Sequence, residues 1–181
     1  MKSLRSWAVL FASIALALWS YQLVSSALSE PRWNGIPFTK WLDGRDINST
    51  ANGREAAIKA IGTNGVSTLM RLLCTPRFMH YDWAYKRSLA LRGFRVLGRD
   101  AGTAIPELVT LTKDRDEDLR FRAIQCLVEG IGIDESLGKE ILQPLQNDPN
   151  RDVRDRVALY LHHPEIYFAS KGEKEKPHEK Q

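Results

Sequence analysis

A chain of 181 residues with a formal net charge of +4, 27% charged and 43% hydrophobic residues is long enough for one ordinary globular domain once its ends are set aside. Both charge signs are plentiful and interspersed, which describes a solvated surface and points to no nucleic-acid partner. Two cysteines, Cys74 and Cys126, exclude a disulfide framework and a four-cysteine metal site.

Lys2 and Arg5 precede "WAVLFASIALALWSYQLV", residues 7–24, which carries no charge and has Ser13, Ser20 and Gln22 as its polar members. As a helix such a stretch nearly spans a bilayer core. Basic residues on its short N-terminal side would hold that end in the cytoplasm and send the rest outward. Two readings share these features: a retained transmembrane anchor, or a secretory signal cleaved after the Ser25-x-Ala27 pattern to begin the chain near Leu28. Either way residues 1–28 predict export, to the membrane-tethered periplasmic or exterior side in the first case and to secretion in the second.

Residues 29–48 form a linker and N-terminal cap, in which Trp41 of "FTKWL" is expected to cover the exposed end of a helical array starting near residue 49. Asn48-Ser49-Thr50 is a glycosylation sequon, and more simply a loop before the first helix.

Residues 49–168 are periodic. Counting from Tyr85, offsets 4, 5, 8, 9 and 12 are Leu89, Ala90, Gly93, Phe94 and Leu97. From Leu119 they are Ala123, Ile124, Leu127, Val128 and Ile131. From Val153 they are Val157, Ala158 and Leu161, before Pro164 stops the helix. The starts lie 34 residues apart, and these offsets form one stripe of an α-helix. Lys86, Arg120 and Arg154 stand one residue past each start. Gly98 and Gly132 stand thirteen past, and Gly62 fits a more divergent first unit that keeps Ala57, Ile58 and Ile61. Glycine after the last apolar position is a helix stop. Leu72, Leu108 and Leu142 match in the second helix of each unit, and Pro106 suits a helix start. The expectation is all-α: three antiparallel helix pairs and a terminal half-pair, stacked because one pair cannot cover its own stripe.

"LRFRAIQCLVEGIG", "VRDRVALYL" and "LGRDAGTAIPELVTL" resemble HEAT-like repeats over about residues 50–165. "GIPFTKWL" followed by "GREAAIKAIGTNGVSTLMRLL" is similar to the start of small exported bacterial HEAT-repeat proteins. A tetratricopeptide array would instead need a Trp-x2-Leu-Gly-x2-Tyr opening, which this chain lacks. The resemblance implies an α-solenoid preceded by an N-terminal hydrophobic helix, acting as a scaffold with no fixed ligand. Lys139 departs from the pattern, standing where the other units have Leu69 and Ile105.

No acid/base, nucleophile, phosphate-loop or metal spacing stands out, so neither a catalytic residue nor a cofactor, metal or small-molecule substrate is predicted. His162 and His163 are adjacent and diverge on a helix, which suits a polar helix end. Tyr81 and Trp83, in the aromatic junction "RFMHYDWAYKR", are candidates for binding a protein partner, as are Arg92, Arg95 and Arg99 on one helical face. Trp83, two positions ahead of the register, is expected to face outward and Tyr85 to be buried. The bland reading of the arginine column is a ladder pairing with Asp116, Glu117, Asp118, Asp152 and Asp155. Glu129 lies off the stripe and is expected to be a tolerant surface position. The leading function is a non-enzymatic interaction scaffold outside the cytoplasm. The alternatives are a lyase- or chaperone-like accessory to an enzyme, as the resemblance allows, and a structural envelope protein. Residues 169–181, including "KGEKEKPHEKQ", predict a disordered charged tail.

Overall fold

A computed structural model of the chain describes residues 30–45, 47–77 and 82–168. The predicted membrane segment, the charged tail, His80, His178 and Tyr81 lie outside them. Among the described residues no helix is long and apolar enough to cross a membrane.

Within the stretch read as a linker and N-terminal cap, a small antiparallel hairpin forms from β1 (Arg32–Trp33) and β2 (Ile36–Pro37). Its turn is Asn34-Gly35, with φ of +49° and +77°. A two-residue hairpin turn needs positive φ at both positions, and Asn and Gly reach it most easily. α1 (Phe38–Asp43) comes next and buries Phe38, Trp41 and Leu42 against the two long helices that succeed it.

From there the fold is all-α. α2 (Ala51–Ile61) passes through a 3-10 turn, Gly62–Gly65, into α3 (Val66–Leu73). α4 (Trp83–Leu97) leads through Gly98–Ala104 into α5 (Ile105–Leu111). α6 (Glu117–Gln125) runs on as a π-helical segment, Cys126–Ile131, before α7 (Glu135–Leu142) and a further 3-10 turn, Gln143–Asn147. α8 (Arg151–His162) and α9 (Pro164–Tyr167) finish the described chain.

The periodic positions are the core. Ala57, Ile58 and Ile61, then Leu89, Ala90, Gly93, Phe94 and Leu97, then Ala123, Ile124, Leu127, Val128 and Ile131 are all buried. Leu72, Leu108 and Leu142 are buried too. Val157 is buried, while Ala158 and Leu161, on the last long helix, are half-buried. Gly62, Gly98 and Gly132 each follow a first helix with φ of +58°, +55° and +71°, a conformation in which a side chain is strained.

Close approach needs glycine elsewhere: a Cβ on Gly130 would stand 2.8 Å from that of Phe94, so its absence lets the π segment lie against α4. Lys139 is exposed and pairs with Glu135 at 2.6 Å, so α7 offers solvent a polar side where α3 buries Leu69. The final residue described, Phe168, lays its buried ring on Gly138. Tyr167 meets Tyr160 edge-on at 4.8 Å.

Candidate functional site

The long first helices start on a shared piece of chemistry. Asp116 caps α6, accepting from the N–H groups of Asp118 and Leu119, while Asp114 accepts from Asp116 N–H at 2.8 Å. Four residues past the cap, Arg120 Nη1 donates back to the Asp114 and Arg115 carbonyls at 2.9 and 3.3 Å. At α8 the pattern returns: Asn150 caps Val153, Asp148 holds Asn150 N–H, and Arg154 Nη1 donates to the Asp148 and Pro149 carbonyls. α2 uses Thr50 as cap and Arg54 on the Ser49 carbonyl at 3.0 Å. α4 differs, for Asp82 makes no side-chain cap and Lys86 pairs with it at 3.2 Å.

These starts are wired together. Arg120 Nε and Nη2 donate to both oxygens of Asp148 at 2.8 and 2.6 Å, a buried bidentate pair linking α6 to the turn before α8. Burial would raise the Asp148 carboxyl, but Arg120 outweighs it and holds the group below the usual carboxylate range. One step back, Arg87, 2% exposed, donates to Asp116, Asp118 and the Thr75 carbonyl. Burial likewise acts to raise Asp116, and Arg87 again prevails.

A charged ladder is therefore present, with a different membership from the one the sequence suggests. Arg87 and Arg120 are its buried rungs, Glu117 pairs with Arg77, and Asp155 pairs with Arg151 on the surface.

Trp83 is half-buried where the sequence placed it outward: Arg77 and Arg87 stack on its ring at 4.8 and 5.1 Å. Tyr85, expected in the core, is also half-buried, because its hydroxyl reaches Asp43 at 2.6 Å and Arg45 covers its ring. The Arg45 hydrogen bond, helped by Tyr85, lowers the Asp43 carboxyl to about 2. Of the arginine trio, Arg92 donates to the Leu42 carbonyl at 2.8 Å, Arg95 pairs with Glu129, and Arg99 is exposed.

Glu129 corrects the expectation of a tolerant surface site. It takes Arg95 from α4 and Arg156 and Tyr160 from α8, so one carboxylate joins three helical segments. Burial opposes its charge, yet the Tyr160 and Arg95 bonds keep the carboxyl below its ordinary range. Burial and the Glu129 bond together push the Tyr160 phenol up.

Between α6 and α8 an open groove runs past Phe121, Arg122, Arg156 and Leu159, with Arg77, Asp152 and Asp155 at its rim. Arg156 and Arg122 lie on the Phe121 ring at 5.2 and 5.6 Å. Leu159 is 37% exposed there, although Leu91 and Gln125, two periods and one period earlier, are buried. Sequence reasoning missed this groove because its members belong to two helices whose spacing only the packing sets. The 34-residue offset between Arg122 and Arg156 was the available signal.

The chemistry of the remaining reactive groups is plain. Cys74 and Cys126 are free thiols, and burial raises both, leaving them poor nucleophiles. Among the described residues no three His, Cys, Asp or Glu side chains converge as a metal site. His162 and His163 are exposed, and His163 Nδ1 lies 3.6 Å from Glu165. No protein-family model, curated protein or solved structure matches this chain.

Proposed function

We propose that this chain is a HEAT-like α-solenoid, tethered outside the cytoplasm by residues 7–24, whose work is to hold a protein partner. The observation that carries the reading is the groove between α6 and α8. Two arginines stacked on one half-buried aromatic ring, Phe121, beside the exposed Leu159 match the composition of interaction hot spots. Each arginine is already steered by a protein partner of its own, Glu129 for Arg156 and Gln125 for Arg122, so the surface is preorganised and little ordering is left for binding. The repeated cap-and-arginine starts 34 residues apart, with buried stripes behind them, support the repeat architecture.

Site-specific photocrosslinking in the native host tests the binding role. A photoreactive residue at Leu159 or Phe121 should yield a discrete crosslinked protein, and one at exposed Lys59 should not. Identical patterns from all three positions would remove the groove from consideration. Export is tested separately: a reporter fused after residue 181 that works only in the cytoplasm should be silent.

A further inference from the structure

We infer that the β1–β2 hairpin is a foot resting on the lipid headgroup layer, with Trp33 as the side chain that enters it. This rests on the reading of residues 7–24 as a retained anchor. Trp33 is 41% exposed, and the other large hydrophobics exposed among the described residues, Leu159 and Ile166, lie in the last helices. An indole with its apolar body and single N–H donor suits the boundary between water and hydrocarbon, where tryptophan concentrates in membrane proteins.

Chain length places it there. Val24 and Glu30 are six residues apart, a reach of about 20 Å even for fully extended chain. The interfacial layer on each side of the hydrocarbon is itself about 5–8 Å thick. A retained anchor would therefore hold the hairpin within about 12–15 Å of the headgroup layer, close enough for it to touch that layer.

Its mounting is firm. Phe38 N–H donates to the Pro31 carbonyl at 2.9 Å, Thr39 N–H to Glu30 Oε1 at 2.5 Å, and the Trp41 indole to the Trp33 carbonyl at 3.3 Å. Trp41 is buried and spends its N–H holding Trp33 backbone, so the partly exposed Trp33 side chain stands on a fixed base. Arg32 curls onto the Gly35 carbonyl at 3.0 Å through one nitrogen, and its exposed guanidinium suits the phosphate level. A foot of this kind would fix the tilt of the helical domain over the membrane, where a flexible tether would not.

The test uses the full chain in vesicles of phosphatidylcholine and phosphatidylglycerol, with brominated phosphatidylcholine quenching tryptophan emission. Flotation is read first, then quenching by bromine near the top of the acyl chain or near its methyl end. The shallow quencher should remove a share of emission that is missing in Trp33→Ala and in the more conservative Trp33→Tyr. The deep quencher should act alike on all three, and Trp41→Phe should keep the shallow quenching. If the chain floats and both Trp33 variants are quenched like the parent, the foot is overturned and the anchor stands. If the chain does not float, anchor and foot fall together.

Discussion

Removing the Asp148 side chain tests the wiring between helix starts most directly. In Asp148→Ala, Arg120 loses both carboxylate bonds at 2.6 and 2.8 Å, and the cap turn loses the bond to Asn150 N–H. Both side chains of the pair are largely buried, at 10% and 4% exposure, so the stranded guanidinium cannot simply rehydrate. Breaking one side of such a pair costs about 3–5 kcal/mol. Arg120 keeps the Asp114 and Arg115 carbonyls, which places the expectation near the lower limit, about 3 kcal/mol. For a domain of this size each kcal/mol moves the melting temperature by about 2–4 °C, so the variant should melt about 6–12 °C lower. Urea and thermal unfolding of residues 30–168, followed by circular dichroism, give the number. Arg120→Met/Asp148→Ala should recover much of the loss, because no buried charge remains.

The pH dependence supplies a second check. The folded Asp148 carboxyl lies below its unfolded value, so its contribution is fully present above an unfolded pKa of about 4 and is lost as pH falls through the folded value. The gap between parent and Asp148→Ala should therefore narrow as pH falls below about 4. A loss below about 1 kcal/mol, the size expected of an exposed pair such as Arg151–Asp155, would refute the reasoning.

Leu127, fully buried on the stripe, should not tolerate Leu127→Asp, which should unfold the domain or destabilise it by several kcal/mol, whereas Glu140→Lys on an exposed position should change unfolding free energy in urea by about 0.5 kcal/mol or less. Glu129→Lys should cost about 2 kcal/mol or more by setting a third cation beside Arg95 and Arg156, with Glu129→Gln milder in the same assay. Trp83→Ala should lower the melting temperature through the loss of two stacked guanidinium contacts, about 1 kcal/mol in all, and Trp83→Phe should restore most of it. Tyr85→Phe should cost about 1 kcal/mol at neutral pH, and the difference should vanish as acid titrates Asp43 through about 2, since a lowered folded pKa stabilises only above that range.

The periodic positions were legible because burial on a helix leaves a one-dimensional trace. Leu89, Phe94, Leu127 and Val157 sit on stripes that recur every three or four residues whatever they pack against, and glycine at 62, 98 and 132 marks the ends that need positive φ. Asn34-Gly35 carries an equally local signal, a hairpin turn, but strands of two residues on either side are too short to show an alternating pattern. The polar wiring leaves no such trace. Arg87 lies next to Lys86 in sequence, and only the approach of α4 to the cap of α6 makes one a fully buried rung and the other a surface pair. Glu129 stands off the apolar stripe, as surface residues do, yet α4 and α8 both converge on it. Trp83 is covered because arginines lie beside it, and Leu159 is exposed because open space does. The face a residue occupies on its own helix marks the candidates for burial, so sequence alone determined most of the core. Tyr85, Ala158 and Leu161 show that full burial also needs a neighbour over that face. An ion pair or a groove exists only where two helices meet, and their distance and rotation belong to the tertiary structure.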